Sequence, residues 1–492
     1  MQFRGIPFAQ PPVGPLRWAP PQLPSAWEGT REAMTFGNVA PQAVRMGTDF
    51  GAAEDEDCLY LNVTSTTLDP DAMQPVMVWI HGGGNLYGGA SDPLYDPVAL
   101  ASRGVTLVTV NYRLGVFGFL AHPLFGANFA VLDNIAALRW VRENIGQFGG
   151  NPGNVTIFGQ SAGAVAVRTL LASPGAKGLF RRGIIQSAGF EAKAVGEWWS
   201  RETNQAAAEE LFASLGGGDA EALRAIPTER VMQAAADLSG SRDRPGLVRT
   251  PAQLVWMPVA DDETVVAQGE PAWTDEVTVM LGTVANESRF FLRPERKAEF
   301  DPPLLDRMID ALVRPVADEV RTWFSKQALA PYDALDVLVS TSVFTEPAVQ
   351  SMRNFGAEGR SFYGYQFHRV APGARATEFL ASHACELPYL FGTLAHAADS
   401  PYLFGALSRK DWYDGTDHEL ADQLQQAWVS FARNGVPQSN GMKWARYDTL
   451  DPKITLIGDD IRPAPAHLSG LGRLLNSARE HGPKRNWLGK QL

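Results

Sequence analysis

Short, almost unbroken apolar runs recur along this chain, each bounded by glycine, proline or polar residues and separated by stretches with helical spacing. Residues 76–80 lie between Pro75 and His81-Gly82-Gly83-Gly84, and a run this apolar reads as a strand buried on both faces. Residues 105–110 form a second such strand, ended by Asn111-Tyr112-Arg113-Leu114-Gly115. Residues 93–103 between them read as a helix, so a right-handed parallel crossover is the economical connection. Residues 155–158, 183–186, 277–281 and 362–367 continue the series, and 55–63 alternates toward a strand. Residues 130–145 place Ile135, Leu138, Val141 and Ile145 at helical spacing and close at Gly146.

Strand alternating with helix on this scale predicts an α/β protein with a large, mostly parallel central sheet and helices on both faces. Residues 200–238 and 303–358 are helical in pattern and hold no comparable strand. They read as insertions over one end of the sheet, walling a pocket at the carboxyl ends of the strands. Residues 5–24 carry seven prolines, which predicts extended coil over a surface, neither helix nor central strand. Gly216-Gly217-Gly218 reads as a loop between two helices. Neither a repeat nor a linker interrupts the pattern, so residues 1–492 are expected to form a single domain.

The chemistry is concentrated where strand 155–158 meets Gly159-Gln160-Ser161-Ala162-Gly163 and a run of good helix formers. Strand, sharp turn and helix is the context in which a serine between two glycines is held in a strained conformation, its Oγ exposed at a helix start. Serine is a poor nucleophile at neutral pH and needs a base and a group to orient it. Among eight histidines, His383 stands in a short polar loop ahead of apolar 387–391. For the acid, Glu287 follows strand 277–281 on the edge expected of Ser161, with Asp261 and Asp262 as competitors. Gly83 and Gly84, placed directly after a strand, and the amide of Ala162 are candidate oxyanion donors.

Charge narrows the partners. Forty-three Lys and Arg against 54 Asp and Glu give a net charge of −11, with no basic block, which argues against nucleic acid and anionic membrane. No apolar run approaches the ~20 residues of a membrane span. No zinc spacing, HExxH or P-loop occurs, so neither metal nor cofactor is expected. The first residues show no apolar export signal, and two cysteines, Cys58 and Cys385, suit a reducing, cytoplasmic setting without disulfides. Sequons at Asn62, Asn154 and Asn286 read as chance matches, since Asn154 enters the central strand and Asn286 adjoins the candidate acid.

These blocks, in their order, resemble the type-B carboxylesterases, the family of bacterial para-nitrobenzyl esterases, animal carboxylesterases and cholinesterases. Gly5-Ile6-Pro7-Phe8-Ala9 with Pro11-Pro12-Val13-Gly14 is similar to the family's opening block, and Glu56-Asp57-Cys58-Leu59-Tyr60-Leu61-Asn62 to its second signature. Asn111-Tyr112-Arg113, Phe148-Gly149-Gly150-Asn151-Pro152 and Gly159 to Gly163 follow, the likeness ending near Trp444. The resemblance implies an α/β-hydrolase fold, with Ser161 as nucleophile, His383 as base, Glu287 as acid, and Gly83, Gly84 and Ala162 as the oxyanion hole. It implies a small-molecule ester substrate and buried ion pairs Arg17 with Glu56 and Arg113 with Asp133. Asn85, where the family mostly has an aromatic residue, and Gln160, where an acidic neighbour is common, are expected beside the substrate pocket. The family's hairpin ahead of Gly5 is nearly missing, so a start upstream of Met1, and with it export, stays open. The cysteine that pairs with Cys58's counterpart is absent, with Ala40 near its place.

The expected reaction is hydrolysis of neutral, apolar or aromatic esters through an acyl-enzyme, by a monomer or homodimer. A carbamate or amide hydrolase would use the same groups, and a non-catalytic binding protein of this fold is the rival of another class.

Overall fold

The computed structural model of the protein describes residues 1–42, 48–188, 201–238, 255–261, 263–265, 276–357, 359–398, 411–440, 442–466 and 469–481. In chain order the strands are β1 (Gln2–Pro7), β2 (Tyr60–Thr64), β3 (Gln74–Ile80), β4 (Thr106–Val110), β5 (Gly150–Gln160), β6 (Arg182–Gln186), β7 (Thr278–Val284) and β8 (Phe362–Phe367). A small ribbon of β9 (Gln438–Ser439) and β10 (Met442–Lys443) precedes β11 (Lys453–Ile457) and β12 (Ile461–Pro465). Among the described residues, ten of these make one sheet in the order β1-β2-β4-β3-β5-β6-β7-β8-β11-β12. From β4 to β11 every pairing is parallel, while β1 and β2 at one edge and β12 at the other are antiparallel.

The all-apolar runs are explained by burial on both sides. In β3, Val76, Val78 and Ile80 enter one core while Met77 and Trp79 enter the other. The first core is shared with helices Phe129–Asn144 and Ala162–Leu171, and the second with the long helix Gly415–Asn434. Successive strand side chains point to opposite faces, so a strand between two helical layers must be apolar at every position.

The insertions are helical as expected. The first holds Arg201–Ser214, Ala220–Arg224 and Thr228–Leu238, with Gly216-Gly217-Gly218 in the loop between the first two. The second holds Pro302–Val313, Ala317–Phe324, Pro331–Val339 and Glu346–Ala357, with a π-helical stretch, Ser340–Thr345, between the last two. It carries a core of its own, including Leu304, Met308, Leu335 and Val339, closed by Leu471 and Leu475 of the C-terminal helix Gly470–His481.

Three expectations need correction. The proline-rich start is extended, but its first part is the edge strand β1, and Gly14–Leu16 makes a single 3₁₀ turn; an edge position tolerates proline because one side of the strand has no ladder partner. Residues 93–103 are not one helix: Pro93 and Pro97 each restart the chain, giving a 3₁₀ turn, Pro93–Tyr95, and a short helix, Val98–Ala101. Strand β2 begins at Tyr60, five residues later than the alternation suggested.

Both predicted ion pairs form. Arg17 pairs with Glu56, and Arg113 grips Asp133 through Nη2 at 2.7 Å and Nε at 2.8 Å, all four side chains being buried. Cys58 and Cys385 are both free and buried, in different cores. The three sequon asparagines spend their amides inside the fold: Asn62 donates to Thr109, Asn154 to the Arg433 carbonyl and Asn286 to Asp336.

Candidate functional site

Ser161 follows the last residue of β5 with φ 57° and ψ −125°, a conformation that non-glycine residues rarely adopt and that marks functional turns. Its neighbours must be glycine. A β-carbon on Gly159 would stand 2.5 Å from the Gly163 carbonyl, and one on Gly163 would stand 2.0 Å from the Ile80 carbonyl. The turn is pinned from the adjacent strand, where Ser161 N–H donates to the Gln186 carbonyl at 2.9 Å. Helix Ala162–Leu171 starts at once, so its free N–H groups face the region of the serine side chain.

The glycine run after β3 lies against this turn. A β-carbon on Gly82 would meet the Gln160 carbonyl at 2.7 Å and Ser161 Cβ at 3.2 Å. Gly83 has φ 109° and no room for a side chain, with the Tyr87 carbonyl 1.9 Å from where Cβ would sit. Among the described residues, the N–H groups of Gly83, Gly84 and Ala162 have no internal acceptor. His81 stays out of the chemistry: burial lowers its pKa to about 4, its Nδ1 bonds the Gly82 carbonyl at 2.8 Å, and its ring stacks on Tyr112.

Glu287 and His383 are brought together. His383 Nδ1 donates to Glu287 Oε2 at 2.5 Å, and Glu287 Oε1 accepts from Val284 N–H at 3.0 Å. Both side chains are buried. Two loops make the meeting: Asn286 bridges Ser382 in parallel fashion, and its N–H donates to the Ala381 carbonyl at 2.9 Å. The competitor Asp261 is occupied elsewhere. Its Oδ1 caps the N–H groups of Glu263, Thr264 and Val265, and Oδ2 accepts from Asn128 at 2.9 Å. Asp262 lies outside the described residues.

Gln160 is buried, and its Nε2 lies 3.0 Å from Nε2 of His383. With Nδ1–H committed to Glu287, Nε2 is the acceptor. Among the described residues, Ser161 Oγ makes no hydrogen bond in this arrangement. Asn85 is buried. It has φ 61°, and its amide donates to the Trp256 carbonyl at 3.3 Å and to Met257 Sδ at 3.0 Å.

Three kinds of residue escaped the sequence reading. The rings of Phe291 and Phe344 lie 5.2 Å from the imidazole of His383, and that of Phe290 5.9 Å, forming an apolar wall. An apolar pair in a polar loop directly after a candidate acid was the available signal for two of them. Glu386 is a second buried carboxyl beside the pair. Burial first, then Glu287, push its pKa up to about 7; Oε1 accepts from Gln186 at 3.2 Å, and Oε2 has no partner among the described residues. Asp336, far away in sequence, gathers the residues flanking Glu287.

Residues 1–469 match the model of the carboxylesterase family. The chain is 32% identical over 485 residues to a para-nitrobenzyl esterase of Bacillus subtilis, covering 93% of this chain and 92% of that one. It is 31% identical over 481 residues to a phenmedipham hydrolase of Pseudarthrobacter oxydans, covering 93% and 91% respectively. A solved thermophilic PNB esterase superposes with a TM-score of 0.80 at 30% identity, covering 96% of this chain and 95% of its own.

Proposed function

This chain belongs to the carboxylesterase family, whose members hydrolyse carboxylic esters through a serine, and from that premise we propose that Ser161, His383 and Glu287 do the chemistry here. The protein is a carboxylic-ester hydrolase of the α/β-hydrolase fold, acting on small-molecule esters. The observation that carries the assignment is the buried 2.5 Å bond between His383 Nδ1 and Glu287, made at the strand ends beside the strained turn of Ser161.

In this reading His383 Nε2 takes the proton of Ser161 Oγ as that oxygen attacks the ester carbonyl. The developing oxyanion is received by the unoccupied N–H groups of Gly83, Gly84 and Ala162. His383 then protonates the leaving alcohol, and in the second half it activates the water that releases the acid. Glu287 keeps the proton of the resting imidazole on Nδ1 and balances the imidazolium that forms.

The phenylalanine wall supports a preference for neutral apolar or aromatic esters, and Gln160, on the same imidazole, carries no charge. Asn85 is read as supporting the residues beside the pocket, its amide being spent on Trp256 and Met257. The sheet running from residue 2 to residue 465 supports reading the chain as one domain. No helix among the described residues is long and apolar enough to cross a membrane. The free buried thiols support a reducing, cytoplasmic setting, and the working unit is taken to be a monomer or homodimer.

A panel of para-nitrophenyl esters beside an aryl carbamate tests the reaction, with fluorophosphonate labelling to identify the nucleophile. Esters should turn over, label should fall on Ser161, and Ser161→Ala should lose on the order of 10⁶ in kcat. Retention of more than a few per cent of activity by that variant would refute the assignment; faster turnover of the carbamate would move the substrate class.

A further inference from the structure

One buried carboxylate outside the proposed chemistry is bonded at every lone pair. Asp336 stands on helix Pro331–Val339 of the second insertion. Its Oδ1 accepts from Ser288 Oγ at 2.6 Å and Ser340 Oγ at 3.0 Å, and its Oδ2 from Asn286 Nδ2 at 2.9 Å and Arg289 Nε at 2.7 Å. Three of these four donors are the residues immediately around Glu287, which itself makes no bond to Asp336.

The clamp extends in two further directions. Ser340 Oγ also accepts the backbone N–H of Ser288 at 3.0 Å, so the residue after Glu287 is held by both main chain and side chain. Ser340 opens the π-helical stretch that carries Phe344, whose ring faces His383. Arg289 reaches a second carboxylate, Asp333, at 2.6 Å and lies 4.4 Å over the Tyr332 ring. Burial alone would weaken the Arg289 charge, but Asp336 and Asp333 outweigh it and hold the guanidinium's pKa above its ordinary value. The charge of Asp336 is therefore neutralised locally.

We propose that Asp336 is a positioning residue for ester hydrolysis: it fixes the chain on either side of Glu287 so that the carboxylate stays on His383 Nδ1, and through Ser340 it sets Phe344 against the same imidazole. The proposal rests on the reading of Glu287 as the acid. A glutamate side chain has several torsions, so its aim depends on the backbone that carries it: Ala285 N–H on the Phe367 carbonyl and Asn286 N–H on the Ala381 carbonyl hold the chain before Glu287, and Ser340 with Asp336 holds the chain after it. The second insertion, with its separate core, supplies the rigid support that its neighbours on β7 cannot, because the chain leaves the sheet at Val284. Preorganised geometry of this kind matters steeply, since a displacement of about 1 Å can lower a rate about 10²-fold.

The test is a double-mutant cycle on the full chain between Asp336→Asn and Glu287→Gln, with kcat and KM for para-nitrophenyl butyrate normalised to sites titrated to completion by an organophosphonate. Asn keeps the size of Asp336 but presents an amide to the donors of Asn286 and Arg289. Expected is a fall in kcat per titrated site of about 10²-fold with KM within about twofold, a downward shift of the acid limb of kcat/KM as Glu287 leaves the imidazole, and no further loss when Asp336→Asn is added to Glu287→Gln. Equal losses in both backgrounds, or a lower titratable fraction with unchanged kcat per site, would overturn the proposal. Should Asp336→Asn fail to fold, Asn286→Ala with Ser288→Ala removes two tethers without leaving a buried charge, and the same cycle applies. If Glu287→Gln alone is not crippling, the reading of the acid has failed and this proposal falls with it; if it is crippling and Asp336→Asn is additive, only the proposal fails.

Discussion

The side-chain nitrogen of Gln160 lies 3.0 Å from Nε2 of His383, so the residue before Ser161 donates to the very nitrogen proposed to take the serine proton. A neutral donor there matches the lone pair of a neutral ring, whereas an imidazolium would place N–H against N–H. It also means that Nε2 must exchange Gln160 for Ser161 before attack. Replacing the amide by a carboxylate reverses the first effect: an opposite charge within about 4–6 Å favours the protonated ring. A base that holds its proton more tightly is active only at higher pH. Gln160→Glu should therefore move the acid limb of the kcat/KM profile upward by about one pH unit or more. A limb that stays in place or moves down would show that the contact does not act on the imidazole.

Glu287→Gln should reduce kcat by roughly 10⁴, by analogy with the buried acid of serine proteases. Asp261→Asn should leave kcat per active site near the parent value and lower stability, because Asp261 caps three N–H groups and accepts from Asn128. Active-site-titrated rates with thermal melts separate the two outcomes, and the reverse result would reassign the acid.

Choline esters should be poor substrates relative to uncharged isosteres. The phenylalanine wall offers a cation about 2 kcal/mol of cation–π attraction when desolvated. Yet Glu287 is already bonded to His383, Gln160 is neutral, and Glu386 is buried with its pKa pushed up to about 7. A free carboxylate about 5 Å from the cation would be worth about 3 kcal/mol at an effective dielectric of 20, roughly a hundredfold in rate. Butyrylcholine should fall below 3,3-dimethylbutyl butyrate in kcat/KM by about that factor, and equal constants would mean that a charge elsewhere serves the pocket.

Glu386→Gln should stabilise the protein at alkaline more than at acid pH. The folded chain keeps this proton up to about pH 7, while the unfolded chain releases it near 4.5. Between those values the native state binds more protons, so stability contributed by the protonated acid is lost as pH rises through the window. The full effect is on the order of 3 kcal/mol. Melting temperatures of parent and variant should nearly coincide at pH 4.5 and separate toward pH 8; a gap independent of pH would assign the difference to packing instead.

What the sequence determined by itself was whatever depends on neighbours along the chain. The apolar runs of β3, β4 and β7 could be read because a strand covered on both faces admits few polar residues, and those mainly threonine. The turn at Ser161 could be read because glycine at 159 and 163 is forced by carbonyls only ångströms away. The glycines after β3 announced themselves in the same way. Proline-rich residues 5–24 misled in part, since proline signals extended chain without saying whether a partner strand lies alongside.

Tertiary structure alone decided which distant groups meet. Glu287 and His383 are 96 residues apart, and Asp261 has the same chemistry as Glu287. What brings Glu287 rather than Asp261 to His383 is the placing of β7 beside β8 and the bridge between Asn286 and Ser382. Gln160 could be seen as uncharged, but not that its amide points at an imidazole 223 residues on. Asp336 carries no signal of its own within the helical pattern of residues 303–358; only the packing of the second insertion sets it against the loop of Glu287. Local periodicity reports which face of an element is buried; the partner across that face is fixed only when the whole sheet and its insertions close.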